Sequence, residues 1–450
     1  MPALLWDVQE EHLGEAETCV ELWEASLSSA IYTLAEVGAG PEERLMAHTQ
    51  GMVIAGHPVL ERLIRPVLDR ELNEDRFRTA AAALTLLDGG GRDGPDRVLA
   101  YFPKARAHGW WGLIRATHLS RRTDLAERIL AEIEPLDGLP LAGRLEVLAG
   151  LGVDTGKPLR KWLHHGHPAI RRVAARLARH SSSSKILRQL LPMLRDPDPW
   201  LREAAIESAL IRGLPGSWEA ACDTAFARDT PASLRRSALA WIAMQGDAEV
   251  HARLFDLLES RPSPDLLWAA AISGRPEAVV LALDLLDHPK LARLAGEVVT
   301  HVAGLSTHDH RFWLDEGAAG GYGASASEAL PPLARDDLDA NLVPPELLRL
   351  RRPDPERIRE WWRAVEGYFS PAWRYLAGRP LDLAAMRAGL NDAPMRRRHP
   401  LALELAIRTA GVGLLDTRAP ARIQFTRGEA IFASLGALGE FDFQGGFPIL

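Results

Sequence analysis

Three segments of this 450-residue chain open in the same way: Ile170-Arg171-Arg172-Val173-Ala174, Leu201-Arg202-Glu203-Ala204-Ala205 and Leu234-Arg235-Arg236-Ser237-Ala238. Their arginines Arg171, Arg202 and Arg235 stand 31 and 33 residues apart. A fixed spacing in this range marks supersecondary units that stack into a solenoid, burying their apolar faces only against one another. Such a fold presents a surface rather than a catalytic pocket.

The apolar spacing inside each unit agrees. Ile170, Val173, Ala174, Leu177 and Ala178 follow the i, i+3, i+4, i+7, i+8 rule, as do Leu201, Ala204, Ala205, Ser208 and Ala209, and Leu234, Ser237, Ala238, Trp241 and Ile242. Each set lines one face of a helix. Pro168, Pro199 and Pro231 precede them, in a first turn where a missing N–H costs nothing. Further stripes lie between, Ile186 to Leu194 and Val250 to Leu258, so one unit reads helix, Asp/Pro turn, helix.

Asp198-Pro199-Trp200-Leu201-Arg202-Glu203-Ala204-Ala205 shows the unit best, and it resembles the HEAT repeat in its short bacterial form. The match is good over 157–260 and looser back to Phe77 and forward to Gly304. The expected fold is all-α, a right-handed α-solenoid of HEAT-like repeats with helical end caps, because a terminal repeat would otherwise expose its apolar face. Four parts are expected: an acidic helical cap over 1–75, the array over 76–305, a Gly/Pro-rich irregular linker over 306–355, and a helical segment over 356–450 ending in an extended tail.

Charge narrows the function classes. Residues 1–75 carry 15 acidic and 4 basic groups, residues 157–212 carry 4 and 12, and the net charge is −7. That balance disfavours a general nucleic-acid binder while allowing one face to steer a charged partner. Cys19 and Cys222 are far apart and in no metal or redox pattern, which points to free thiols in a reducing compartment. No apolar run is long enough for a membrane span and no signal segment opens the chain, so a cytoplasmic location is expected. His164, His165 and His167, and His301, His308 and His310, lack the spacing of a closed metal site. No nucleophile elbow or P-loop occurs. We expect no enzyme activity, metal or cofactor.

Two groups are candidate partner-binding residues. Arg171, Arg202 and Arg235 would stack along the array, either as a ladder to turn aspartates such as Asp198 or Asp229, or as a basic strip for an acidic partner. Trp361, Trp362 and Trp373, beside Arg363 and Arg374, have the composition of an interface hot spot, with core packing as the other reading.

The ends carry a second resemblance. Leu22-Trp23, Glu43-Arg44-Leu45-Met46-Ala47-His48 and Ala55-Gly56, then Arg374-Tyr375-Leu376-Ala377-Gly378-Arg379-Pro380, Arg396-Arg397-Arg398-His399 and Leu414-Leu415-Asp416-Thr417-Arg418-Ala419-Pro420, are similar to an uncharacterised proteobacterial HEAT-repeat family. Thr49-Gln50-Gly51 departs from the Leu-Asp-Gly of that family. Its genes often lie in type VI secretion clusters, so the resemblance implies an accessory or adaptor protein for effector delivery, binding a protein partner such as an effector or spike component on the concave face. The alternatives are a DNA-glycosylase-like HEAT enzyme and a toxin-binding immunity protein.

Overall fold

A computed structural model describes residues 4–314, 350–439 and 441–447. Helix starts follow local chemistry. Pro168 and Pro199 each occupy a first helical turn, behind His167 and Asp198, whose side chains accept the Ala169 and Trp200 N–H groups at 3.2 and 3.0 Å. Pro231 instead stands just outside its helix, as the N-cap of Ala232–Gln245. Ser263 caps Pro264–Ser273 in the same manner as Asp198.

Eight helices form the inner row: Arg76–Gly89, Ala107–Leu119, Gly138–Leu151, Pro168–Leu177, Pro199–Ile211, Ala232–Gln245, Pro264–Ser273 and Ala292–Ala303, each packed on the next. Their alanines make close stacking possible: Ala80 to Ala83, Ala174, Ala205, Ala238 and Ala270 have no exposed surface. Further helices, among them Pro158–Leu163, Ser217–Phe226 and Ala248–Ser260, form a second, outer layer. Ile170, Leu201 and Leu234, at one position of successive units, are fully or almost fully buried; shortening any of them to alanine belongs to the class of change costing roughly 2–5 kcal/mol. The result is an all-α solenoid.

The helix Trp6–Ser26 packs on Glu43–Ala55 and on the first row helix, and one apolar cluster runs from Leu13 without interruption to Ala303. Of the expected linker, 315–349 lie outside the described residues; on either side of them Trp313 pairs with Pro353 in a single β-bridge. Beyond it come the helix Pro355–Val365, a short hairpin of Tyr375–Leu376 against Arg379–Pro380, and the helices Leu383–Asp392, Met395–Arg408 and Ala421–Leu438. The last helix runs further than the glycine-rich sequence predicts, because Phe432 and Leu435 share its buried face. These C-terminal elements gather a small apolar cluster of their own around Met386, Leu405 and Phe443.

Glu42 joins the two ends of the chain. Its buried carboxylate accepts the Trp23 indole N–H and the Ala421 N–H, both at 2.9 Å and both on Oε1. Burial raises its pKa above the ordinary carboxyl value. Glu42→Gln keeps that acceptor and removes the charge, so its urea midpoint at pH 7 should match or exceed the parent's. Glu42→Ala strands two buried donors and should cost about 2–4 kcal/mol. Equal midpoints for the two variants would contradict this account.

Candidate functional site

Row helices end in carbonyls that have no intrahelical partner and carry the negative end of the helix dipole. The C-terminal segment supplies guanidinium groups to these ends in turn. Arg422 donates to Leu119 and Ser120 at 3.4 and 3.3 Å, Arg427 to Leu151 at 3.4 Å, and Arg408 to Met244 at 2.9 Å. Arg374 donates to Ile272 and Ser273 at 3.2 and 2.7 Å. In the reverse direction, Arg212 at the end of Pro199–Ile211 donates to the Ala410 carbonyl at 3.2 Å. Backbone joins backbone further along: Tyr375 N–H to Gly274, Ala377 N–H to His301 and Gly378 N–H to Val302, at 2.7 to 2.9 Å. Gly274 has φ +67°, and a Cβ there would stand 2.7 Å from the Tyr375 carbonyl oxygen, so only glycine allows the strand this close.

At the other end of the molecule the same segment meets the N-terminal helices, with Met395 N–H on the Tyr32 carbonyl at 2.8 Å and Arg396 N–H on Ser29 at 3.0 Å. The helix Met395–Arg408 lies against Pro199–Ile211 and Ala232–Gln245. One segment therefore spans the inner side of the row from end to end. The concave face expected to receive a partner is taken by the chain's own C-terminal residues, which satisfy its helix ends.

Two buried charge clusters fix the segment. Arg374, with no exposed surface, pairs with Glu404, which Arg408 also reaches at 3.3 Å; Arg374 Nη1 donates to Phe443 at 3.0 Å as well. Glu297 on the last row helix pairs with Arg396 and Arg397 at 3.1 and 2.8 Å, and both guanidiniums lie over the Trp268 ring. Burial lowers Arg397 to about 10.

Between row and segment remains a polar cavity of about 290 Å³. Arg176 and Arg179 in its wall pair with Glu146 and Glu207 at 2.7 and 2.8 Å. Burial works to raise Glu207, and its neighbours, Arg179 foremost with His399 and Arg176, together outweigh it, leaving the carboxyl below its usual range. Burial lowers His180 to about 4, and lowers His399 as well, so both imidazoles are neutral at pH 7.

The sequence candidates fall elsewhere. Arg171 and Arg235 sit at the amino ends of row helices, opposite the capped ends, and donate to carbonyls of the preceding turn: His165 and Gly166 at 3.0 and 3.1 Å, Ala227 and Arg228 at 2.9 and 2.7 Å. Arg202 stands half-buried near Asp229 and Thr230 with its Nε unpartnered. Asp198 is engaged in capping. For Arg171 and Arg235 the anticipated arginine–aspartate ladder is thus replaced by arginine–carbonyl contacts, while Arg202 lies near Asp229 without an ion pair among the described residues. Trp362 is buried on Phe369 with ring centres 5.2 Å apart, Trp361 is half-buried against Phe312 at 6.2 Å, and Trp373 is half exposed. His167 caps a helix, His165 lies 3.2 Å from Asp137, and no group of three metal-capable side chains occurs among the described residues.

The outer face differs from the inner one. Lys157, Arg160 and Lys161 at Pro158–Leu163, with Lys185, Arg188 and Arg195 on the adjoining stretch 184–195, are exposed and have no carboxylate partner among the described residues. Neither stretch contains an acidic residue. No described helix is long and apolar enough to cross a membrane.

Arg408, Arg422, Arg427, Glu297 and Glu404 were missed from sequence, and Arg374 was noted only beside the tryptophans; for Glu404 and Arg408 there was one signal, charged residues interrupting the apolar half of a helix at positions that turn out to be buried. No curated protein matches the chain. Among solved structures, a crystal structure of an engineered protein aligns at 15% identity over 64% of this chain and 88% of its own, with a TM-score of 0.32. The family model of HEAT repeats matches residues 156–225, within the inner row and its outer partners, so that stretch of this all-α solenoid is similar to HEAT repeats.

Proposed function

We propose that the protein is a non-enzymatic, cytoplasmic scaffold that binds an acidic protein partner on its outer face, and that it serves effector delivery by type VI secretion as an accessory adaptor. HEAT repeats commonly bind proteins. The observation that carries the choice of face is the unpaired set Lys157, Arg160, Lys161, Lys185, Arg188 and Arg195, against an inner face already filled. The secretion role rests on the resemblance of the chain ends to that bacterial family.

The test is capture of effector and spike proteins on the immobilised chain, with and without charge reversal at Lys157, Arg160, Lys161 and Lys185. These residues are exposed, so the reversed variant should keep its melting point to within about 1 °C. It should lose at least about tenfold in affinity, and the parent should weaken in high salt. An effector held equally by both proteins, or nucleic acid recovered in its place, would refute the reading.

A further inference from the structure

The cavity between row and C-terminal segment carries positive charge that the protein does not balance. Of the five arginines in its wall, Arg176 and Arg179 have carboxylate partners. Among the described residues the guanidinium of Arg418 has neither a hydrogen bond nor an ion pair, and it is exposed to the cavity. Among the described residues, Arg172 stacks on the Trp200 ring, 5.0 Å away, and Arg427 donates to the Leu151 carbonyl, at 3.4 Å, with no ion pair to a carboxylate for either. Two carboxyls oppose these three. Glu203 accepts the Ser237 hydroxyl at 2.5 Å, and Asp416 accepts the Arg418 backbone N–H at 2.9 Å.

We propose that this cavity is a binding site for a small phosphate-bearing anion, held by Arg172, Arg418 and Arg427. Planar guanidinium forks match phosphate oxygens, and the three come from separate elements that converge on one space. The volume, about 290 Å³, stands at the small end of ligand sites and suits phosphate or a phosphomonoester of a few carbons rather than a nucleotide. Because Arg172 belongs to the row and Arg418 and Arg427 to the C-terminal segment, the anion ties the two together.

Calorimetric titration of the intact chain tests this, with inorganic phosphate and glycerol 3-phosphate as probes and succinate as the carboxylate control at equal ionic strength. One phosphate-bearing probe should bind at 1:1, at least about tenfold more tightly than succinate, and the better of the two identifies the source as free phosphate or a phosphomonoester. Arg418→Ala removes no hydrogen bond of the guanidinium and should leave the melting point of the free chain unlowered, while weakening the probe at least about tenfold; Arg172→Met should do the same to affinity. Saturation absent up to about 10 mM, succinate binding as well as phosphate, or affinity unchanged in both variants would overturn the proposal.

Discussion

Arg374→Ala should destabilise the protein by about 3–5 kcal/mol, the cost expected when one member of a buried ion pair is removed and the other stays. Glu404 would keep only Arg408, and the carbonyls of Ile272, Ser273 and Phe443 would lose their donor. All of these groups are buried, so water does not replace the guanidinium. The loss should appear as a lower urea midpoint and as faster proteolysis near residue 370, since the hairpin would leave the end of Pro264–Ser273. Arg374→Lys keeps the charge without the planar fork, and should fall between parent and alanine variant. A midpoint within about 1 kcal/mol of the parent for Arg374→Ala would mean that the closure does not rest on this cluster.

Acid should unfold the chain well above the range where surface carboxylates titrate. Burial lowers His118 and His180 to about 4 and His251 to about 3. His251 is held neutral by geometry as well: Arg275 donates to its Nδ1 at 3.2 Å, so Nε2 bears the hydrogen given to the Ala243 carbonyl at 2.9 Å. Each of these groups binds a proton in the unfolded chain at a pH where the folded chain refuses it. Their contribution is therefore complete above about pH 6.5 and is lost as pH falls toward the folded values. Each histidine adds a slope of about 1.4 kcal/mol per pH unit in that window, so the three together can remove several kcal/mol between pH 6.5 and 4.5. Urea midpoints measured across pH 4.5 to 8 should fall steeply on the acid side. A flat profile down to pH 4.5 would contradict the burial of these rings.

The row was legible in the sequence because its physics is local. Apolar spacing at i, i+3 and i+4, a proline in the first turn and an aspartate before it specify a helix within about ten residues, and their recurrence specifies stacking. The fate of the inner face was not legible. Arg408 reaches Met244 and Arg422 reaches Leu119, contacts that join residues 164 and 303 positions apart and leave no period to read. The three repeat arginines show the opposite failure. Their period was plain, and it was structural: Arg171 and Arg235 serve the turn before their own helix. Trp361 and Trp362 were ambiguous for a geometric reason, since adjacent helical residues point about 100° apart and sequence does not say which faces inward.

The closing segment sets an order of events during synthesis. Contacts such as that between Glu42 and Ala421 cannot form until the last part of the chain is made, although the row they complete is finished by Ala303. At ribosomal rates of about 5–20 residues per second, the stretch from the end of the row to Ala421 takes roughly 6–24 s to follow. During that interval the helix ends and inner face of the nascent row are covered only step by step, as Arg374, Arg408 and Arg422 are made, and that window is when a chaperone would find the most to hold.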